Sequence, residues 1–129
     1  MANQFVVQLK NEPGAMASLA EALAERGVDL RAIGGGGIGD SGHVIMTTAD
    51  DATTKQVLDE GGYTYIEGES ILAEVDDRPG GMASLSRQLA DAGVNIYGHL
   101  FLGRWGDRAM FAFVVDDPDK ARPILERKR

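Results

Sequence analysis

The sequence contains no cysteine. That absence excludes disulfide bonds, thiolate metal sites and cysteine nucleophiles. Basic residues are also scarce, because 13 Lys and Arg stand against 20 Asp and Glu and give a formal net charge of -7. Such a chain repels a phosphate backbone, and its one basic cluster is the terminal ERKR. We therefore expect no nucleic-acid partner.

Long hydrophobic runs are missing as well. The longest, AMFAFVV at 109–115, is too short to cross a bilayer, and the initial MANQFVV lacks the charged start and long apolar core of a signal peptide. We therefore expect a cytoplasmic protein that does not bind a membrane. Its 129 residues, 43% of them hydrophobic, suffice for one ordinary domain or two small ones.

The chain does contain an internal repeat. The segment PGAMASLAEALAERGVDL at 13–30 returns as PGGMASLSRQLADAGVNI at 79–96, an offset of 66 positions. The same offset carries Leu58 onto Ile124, so we expect the repeat to run through nearly the whole chain without a gap. Two domains of the same kind are predicted, 1–68 and 69–129.

Both copies are predicted to begin with a strand and an amphipathic helix. Apolar residues alternate at 4–10 and 70–76, and they recur at helical spacing in the segments that follow. Each helix is expected to begin at a proline and to end at a glycine: Pro13 and Gly27 in the first copy, Pro79 and Gly93 in the second.

Two further strands and a second helix complete each copy. We expect Asp51 and Asp117 to be the N-caps of the second helices, with Pro118 in the first helical position. A last strand, YTYIEG at 63–68, is present only in the first copy, so the second is predicted to lack it. The order β-α-β-β-α-β predicts an α+β, ferredoxin-like fold with helices on one face of an antiparallel sheet.

The stretch AIGGGGIGDSG at 32–42 has the G-x-G-x-x-G spacing of a dinucleotide loop. A phosphate loop requires a helix directly after it, whereas a strand follows here, so we predict a hairpin and no cofactor. Two explanations of the glycines remain open. The hairpin requires positive φ angles, or the glycines leave space for a ligand where the second copy has Leu100, Phe101 and Leu102.

The turns KNEPGAM and DDRPGGM lead into the first helix of each copy. Each turn is expected to direct unpaired N–H groups and the positive helix end at one point, which suits a carboxylate. Asn11 would add an amide that both donates and accepts, as a carboxylate beside an ammonium group requires. Alternatively, Asn11 closes the turn or caps the helix.

The succession of strand, N-E-P-G-A-M or D-R-P-G-G-M, helix, then G-V-D-L or G-V-N-I and a hairpin resembles the ACT domain, a small-molecule sensing module of amino-acid metabolism. The resemblance covers both copies. It implies that two units pair side by side into one sheet. It also implies that an amino acid binds between the turn before the first helix of one unit and the second strand of its neighbour.

The resemblance assigns ligand-binding residues by position. They are Asn11, Glu12, Pro13, Gly14, Ala15 and Met16 in the first turn, Asp77, Gly80, Gly81 and Met82 in the second, and Asp29 and Asn95 on the strands. Across the implied interface Asn11 meets Asn95, and Asp77 meets Asp29. Two neutral amides can hold a zwitterion, whereas two carboxylates repel its carboxylate, so one site is expected to dominate.

Other chemistry finds little support in the sequence. His43 and His99 are not equivalent in the repeat and have no partners at metal-ligand spacing, so no metal site is predicted. No nucleophile can be matched with a histidine and an orienting carboxylate, and we predict no enzymatic activity. Trp105, in LGRWGDR, is expected at a hairpin tip, where it either contacts a partner or folds back onto the sheet.

The sequence thus predicts a freestanding tandem ACT protein that senses an amino acid and acts on a regulated protein partner or through its own assembly. Two alternatives remain: a structural or interaction module whose ligand site has decayed, and a small ferredoxin-like enzyme. The missing last strand bares the edge of 70–76, and because bare edges attract other strands we expect a homodimer.

Overall fold

The computed structural model describes residues 3–127. In chain order they form β1 (Asn3–Lys10), α1 (Ala15–Glu25), β2 (Leu30–Ile38), β3 (Ser41–Thr48), α2 (Asp51–Glu60), β4 (Tyr65–Glu69), β5 (Ile71–Asp76), α3 (Gly81–Asp91), β6 (Ile96–Trp105), β7 (Arg108–Val115) and α4 (Pro118–Leu125). The chain divides into two compact units, the first ending at Gly68 and the second starting at Glu69. The predicted ferredoxin-like fold is confirmed.

The two sheets differ in the number of their strands. The first unit has four in the order β2-β3-β1-β4, and the second has three in the order β5-β7-β6 among the described residues. Within each sheet β3 or β7 pairs antiparallel with both of its neighbours. In the first unit β4 lies beside β1, whereas in residues 69–127 no strand lies beside the outer edge of β5.

Each unit has its own hydrophobic core between the sheet and its helices. Leu19 and Leu23 of α1, one helical turn apart, are fully buried against the first sheet, as the helical spacing predicts. The first core also contains Phe5, Val7, Val28, Val44, Met46, Val57 and Leu58. The second contains Ile71, Ala73, Val75, Leu85, Leu89, Val94, Phe113, Val115, Ala121 and Leu125.

Strand β4 is attached to the first unit by Tyr65. Its ring centroid lies 6.2 Å from that of Phe5, and its Oη donates a hydrogen bond of 2.6 Å to Oδ1 of Asp59. That bond to the carboxylate raises the pKa of Tyr65 to about 12, because deprotonation would place two negative charges side by side. The side chain therefore joins β4 both to the core and to the end of α2.

The first helix of each unit begins differently from the prediction. The N-caps are Gly14 and Gly80, whose φ angles of 89° and 90° lie in the left-handed region. Pro13 and Pro79 precede the caps instead of opening the helices, because proline cannot adopt that conformation. At their other ends α1 and α3 stop two residues before Gly27 and Gly93, the predicted terminating glycines, which both have left-handed φ angles.

The second helices confirm one predicted cap and correct the other. Asp117 caps α4 by accepting a bond of 3.2 Å from the Lys120 N–H. In α2 the cap is Asp50, which accepts from the side chain and the N–H of Thr53, and these bonds lower the pKa of Asp50 below its usual 3.8. Asp51 is the first helical residue instead, and its carboxylate accepts from the Asn3 N–H at 2.9 Å.

The predicted gapless repeat is wrong, because the second hairpin contains one additional residue. Phe5 and Ile71 keep the offset of 66, but their partners on the neighbouring strands, Met46 and Phe113, lie 67 positions apart. A register shift in β6 between Phe101 and Gly103 accommodates this residue as a bulge. Beyond it, Asp50 corresponds to Asp117.

The cap of α4 provides a stability test. Replacing Asp117 with Ala removes the acceptor of the Lys120 N–H, so the free energy of unfolding should fall by about 1 kcal/mol in urea titrations followed by circular dichroism. Asp117→Asn is the control, because asparagine caps helices as well as aspartate does. An equal loss in both variants would contradict the role of the cap.

Candidate functional site

A cleft of about 390 Å³ opens in the first unit beside the turn between β1 and α1. Its walls come from three places: residues 9–12, 15 and 16 around the turn, residues 33–36 of β2, and residues 42–44 of β3. Four of the predicted ligand-binding residues, Asn11, Glu12, Ala15 and Met16, therefore line one cavity. We call this cavity the first cleft.

The turn that borders the first cleft is closed by its own backbone. The Glu12 N–H donates to the Lys10 carbonyl at 3.0 Å, and the Ala15 N–H donates to the Glu12 carbonyl at 3.3 Å. The first bond of the helical type joins the Ser18 N–H to the Gly14 carbonyl. The positive end of α1, which contributes Ala15 and Met16, thus forms part of the cleft wall.

Asn11 attaches the turn to the hairpin between β2 and β3. Its N–H donates to the Asp40 carbonyl at 3.0 Å, and its side-chain Nδ2 donates to the Gly39 carbonyl at 2.9 Å. The alternative that it caps α1 is wrong, because the cap is Gly14 and no side-chain bond is made there. The side-chain bond to Gly39 uses the amide nitrogen, so Oδ1 of this cleft-lining residue is still able to accept a hydrogen bond.

The glycines of β2 matter mainly because of space. A Cβ on Gly35 would lie 2.4 Å from the His43 carbonyl oxygen, and one on Gly37 would lie 2.7 Å from the Asn11 side chain. A Cβ on Gly36 would meet nothing within 4 Å. The predicted hairpin is confirmed, but within 34–39 the explanation by positive φ applies only to Gly39, at 61°.

The second unit has a cleft of about 350 Å³ at the corresponding place, the second cleft. Its main chain is organised in the same way, since the Asp77 N–H donates to the Asp107 carbonyl at 2.8 Å. Arg104 pairs with Ala109 in the sheet as Gly37 pairs with Gly42, and so it takes the place of Gly37.

Around the second cleft, residues with side chains stand at strand positions where the first unit has glycines. Nε of Arg104 donates to Oδ2 of Asp77 at 2.9 Å, and the guanidinium carbon lies 4.7 Å from the centre of the Phe101 ring. Phe101 itself takes the place of Gly35 in the sheet register. The two clefts therefore share a backbone and differ in chemistry.

The two strand residues among the predicted ligands lie outside the cleft of their own unit. Asp29 precedes β2 at the end away from the glycines, with its Oδ2 3.5 Å from Nε of Arg31. Asn95 precedes β6 and donates its N–H to Oδ1 of Asp116 at 2.9 Å. The pairing of Asn11 with Asn95, and of Asp77 with Asp29, stays a prediction.

The other predicted residues belong to the turns. Pro13 and Gly14 shape the first turn without lining the first cleft, whereas Met82 lines the second. Gly80 caps α3, and a Cβ on Gly81 would lie 2.1 Å from the Asp76 carbonyl oxygen. A left-handed φ angle thus requires glycine at position 80, and the nearby Asp76 carbonyl requires it at position 81.

Leu9, Lys10, Ile33, His43 and Val44 also line the first cleft, although the sequence did not indicate them as ligand-binding residues. His43, which the sequence analysis considered only as a metal ligand, is exposed, pairs with Gly36 and lines the first cleft. Counting pairs back from the Gly39-Asp40 turn would have placed His43 at the cleft.

Trp105 lies at the predicted hairpin tip and is 60% exposed. Its ring lies beside Gly103, two residues earlier in the same strand.

Neither a metal cluster nor a membrane span accompanies the clefts in the described part of the chain. Residues 3–127 contain no group of three His, Asp or Glu side chains arranged to hold a metal ion. In the same range no helix is both long and apolar enough to cross a membrane.

Residues 4–60 match the family model of the ACT domain. No curated protein matches the sequence. Among solved structures, protein BT0572 from Bacteroides thetaiotaomicron is 20% identical with a TM-score of 0.71, and the alignment covers 97% of this chain and 86% of that one.

Two further solved structures are regulatory subunits of aspartate kinase. The ligand-free subunit from Thermus thermophilus is 20% identical with a TM-score of 0.62, over 97% of this chain and 87% of that one. The subunit from Thermus flavus is 17% identical with a TM-score of 0.67, over 98% and 92%. At these identities the likeness shows that the fold is shared over nearly the whole chain, in agreement with the resemblance seen in the sequence.

The glycines of the first cleft can be tested without a ligand. Gly35→Ala places a methyl group against the His43 carbonyl and should lower the free energy of unfolding by about 1–3 kcal/mol, the usual penalty of overpacking. Gly36→Ala, one position along the same strand, points into open space and should leave thermal unfolding unchanged or slightly raised. Equal destabilisation by both variants would show that space is not what Gly35 provides.

Proposed function

Because residues 4–60 match the family model of the ACT domain, we propose that this chain is a non-enzymatic sensor that binds a small amino acid or related metabolite in its first cleft. The single observation that carries the proposal is the cleft itself. The cleft is bordered by the N-terminus of α1, by the Asn11 side chain, whose Oδ1 can still accept a hydrogen bond, and by the glycines of β2. Its volume of about 390 Å³ lies in the range of small-molecule sites.

The lining of the first cleft suits a zwitterion. The ligand carboxylate would lie at the N-terminal end of α1, where the helix dipole and unpaired N–H groups favour negative charge. The ligand ammonium would donate to Oδ1 of Asn11, whose amide nitrogen is already engaged with Gly39. Lys10 and Glu12 at the rim carry opposite charges, so the cleft does not favour a strongly charged ligand over a neutral zwitterion.

The side chain of the ligand would contact the apolar part of the lining. Leu9, Met16, Ile33 and Val44 border the cleft together with the glycines of β2. Burial of a small aliphatic side chain there would contribute about 25 cal/mol for each Å² removed from water. An open apolar wall of this kind discriminates weakly between side chains of similar size.

Regulation requires that something distinguishes the liganded from the free chain. Solved structures with the same fold include regulatory subunits of aspartate kinase, which supports a regulatory role here too. We propose a cytoplasmic protein whose readout is a regulated partner or a change in its own assembly. Absence of binding by any amino acid would favour an interaction module with a decayed site, and turnover of a substrate would favour an enzyme.

Calorimetry with the standard L-amino acids, titrated one at a time, tests the site. Asn11→Ala should weaken binding roughly ten- to a hundredfold, because losing hydrogen bonds to a charged group costs about 1.5–3 kcal/mol. The control Gln88→Ala removes an exposed amide from α3, outside the first cleft, and should bind like wild type. Asn95→Ala tests whether that residue contributes as well. Unchanged affinity in Asn11→Ala would refute the placement.

We also propose that the chain forms a homodimer through the outer edge of β5. In the first unit the equivalent edge is occupied, since the Gln8 N–H donates to the Thr64 carbonyl at 2.9 Å. Residues 69–127 provide no strand for that edge of β5, on which Leu72 remains 40% exposed. Uncovered edges of this kind pair readily with another strand.

A second copy of β5 is a suitable partner for this edge. In an antiparallel pair centred on Ala73, Leu72 lies opposite the copy's Glu74, and Ile71 lies opposite its Val75. Like charges do not meet, and the core-facing side chains of the two copies stay on one face of the combined sheet. Glu74 corresponds to Gln8 in the repeat, so its N–H should point outward to the second copy as that of Gln8 points to β4.

The dimer can be tested by replacing Glu74 with proline. Glu74→Pro removes an outward N–H and should dissociate the dimer, whereas Glu74→Ala keeps the N–H and should remain dimeric. Ala73→Pro is less informative, because the register points its N–H inward to β7. Light scattering at micromolar concentration gives the mass. A monomeric wild type, or a Glu74→Pro variant that stays dimeric, would contradict the proposal.

A further inference from the structure

The second cleft, of about 350 Å³ against about 390 Å³, is nearly as large as the first and shares its main-chain arrangement, but its side chains differ. In both clefts the main chain of the turn is bonded to the hairpin, through Asn11 and Asp40 in one and through Asp77 and Asp107 in the other. The helix that follows each turn begins with a left-handed glycine cap. A ligand that fits the first cleft therefore meets equivalent N–H groups at the second.

At two pairs of equivalent positions, the residues of the first and second units differ together. Where the first cleft has a neutral amide beside a glycine, Asn11 and Gly37, the second has a carboxylate beside a cation, Asp77 and Arg104. The first pair leaves no room for a side chain, because a Cβ on Gly37 would lie 2.7 Å from Asn11. In the second, the arginine extends from the strand to the turn and forms an ion pair there.

That ion pair uses the group that a ligand would need. An ammonium group approaching Asp77 finds the carboxylate already bonded to Nε of Arg104 at 2.9 Å, and the guanidinium also lies over the Phe101 ring. A group held on the same chain acts at an effective concentration of millimolar or more, so a free metabolite at lower concentration competes poorly with it. Arg104 of the same chain therefore neutralises the negative charge of Asp77 at the second cleft.

We infer that the Arg104–Asp77 pair is a built-in substitute for the ligand's ammonium group, so that each chain binds one amino acid, in the first cleft only. This inference rests on the function proposed above. Arg104 thereby decides which of two similar clefts is competent, and Gly37 is its counterpart in the first unit.

The number of sites in calorimetric titrations with the standard L-amino acids tests the inference. The double variant Arg104→Gly, Asp77→Asn reproduces the first cleft at these two positions and avoids an unpaired carboxylate. Wild type should bind one amino acid per chain, and the double variant two. The control Arg104→Lys keeps a cation within reach of Asp77 and should bind one. Thermal unfolding of each variant verifies that the second unit is folded.

Each outcome separates the inference from the function on which it rests. Two sites in wild type, or one site in a folded double variant, would overturn the inference and leave the sensor function standing. No binding by wild type together with one site in the double variant would support the blocking role of the Arg104–Asp77 pair, but it would refute binding in the first cleft and with it the expected single site of wild type. No binding by either chain would refute both.

Discussion

In each unit the position of the cleft depends on one main-chain hydrogen bond, which joins the turn before the first helix to the tip of the neighbouring hairpin. The donor is the N–H of Asn11 or Asp77, and the acceptor is the carbonyl of Asp40 or Asp107. The bond fixes the helix N-terminus against the end of the hairpin, and each cleft opens at this place. Because main-chain atoms form this bond, it does not depend on which side chains surround it. The side chains at the two clefts can therefore differ, as Asn11 and Asp77 do.

Much of the fold could be predicted because the repeat and the hydrophobic spacing are independent signals that agree. Local details were harder. A proline before a glycine usually predicts a helix that starts at the proline, but the left-handed caps at Gly14 and Gly80 move the start. Adjacent aspartates are equivalent by sequence, and only the β3–α2 geometry selects Asp50 over Asp51 as the cap. The bulge in β6 could not be predicted, because the second helices of the two copies, α2 and α4, still align closely when no gap is introduced.

The candidate site was predicted only in part, for a related reason. Residues close together in the chain, such as Asn11 and Met16, could be grouped from their turn alone. His43 required the pairing of β2 with β3, which the glycine run does not reveal because it lacks side-chain alternation, and which only the position of the Gly39-Asp40 turn indicates. The ion pair of Arg104 with Asp77 joins residues far apart in sequence, and no local pattern indicates it.

The bond from Tyr65 to Asp59 affects how copies of this chain can exchange segments. If β4 left its own sheet, it could pair in another molecule with the outer edge of β5, for which residues 69–127 provide no strand, and produce a domain-swapped chain. The phenol resists that exchange while it stays protonated, and a pKa of about 12 keeps it so through the physiological range. Its contribution is complete below the ordinary tyrosine pKa of about 10 and is lost as the pH rises through about 12, so strand exchange should be favoured only in strong alkali.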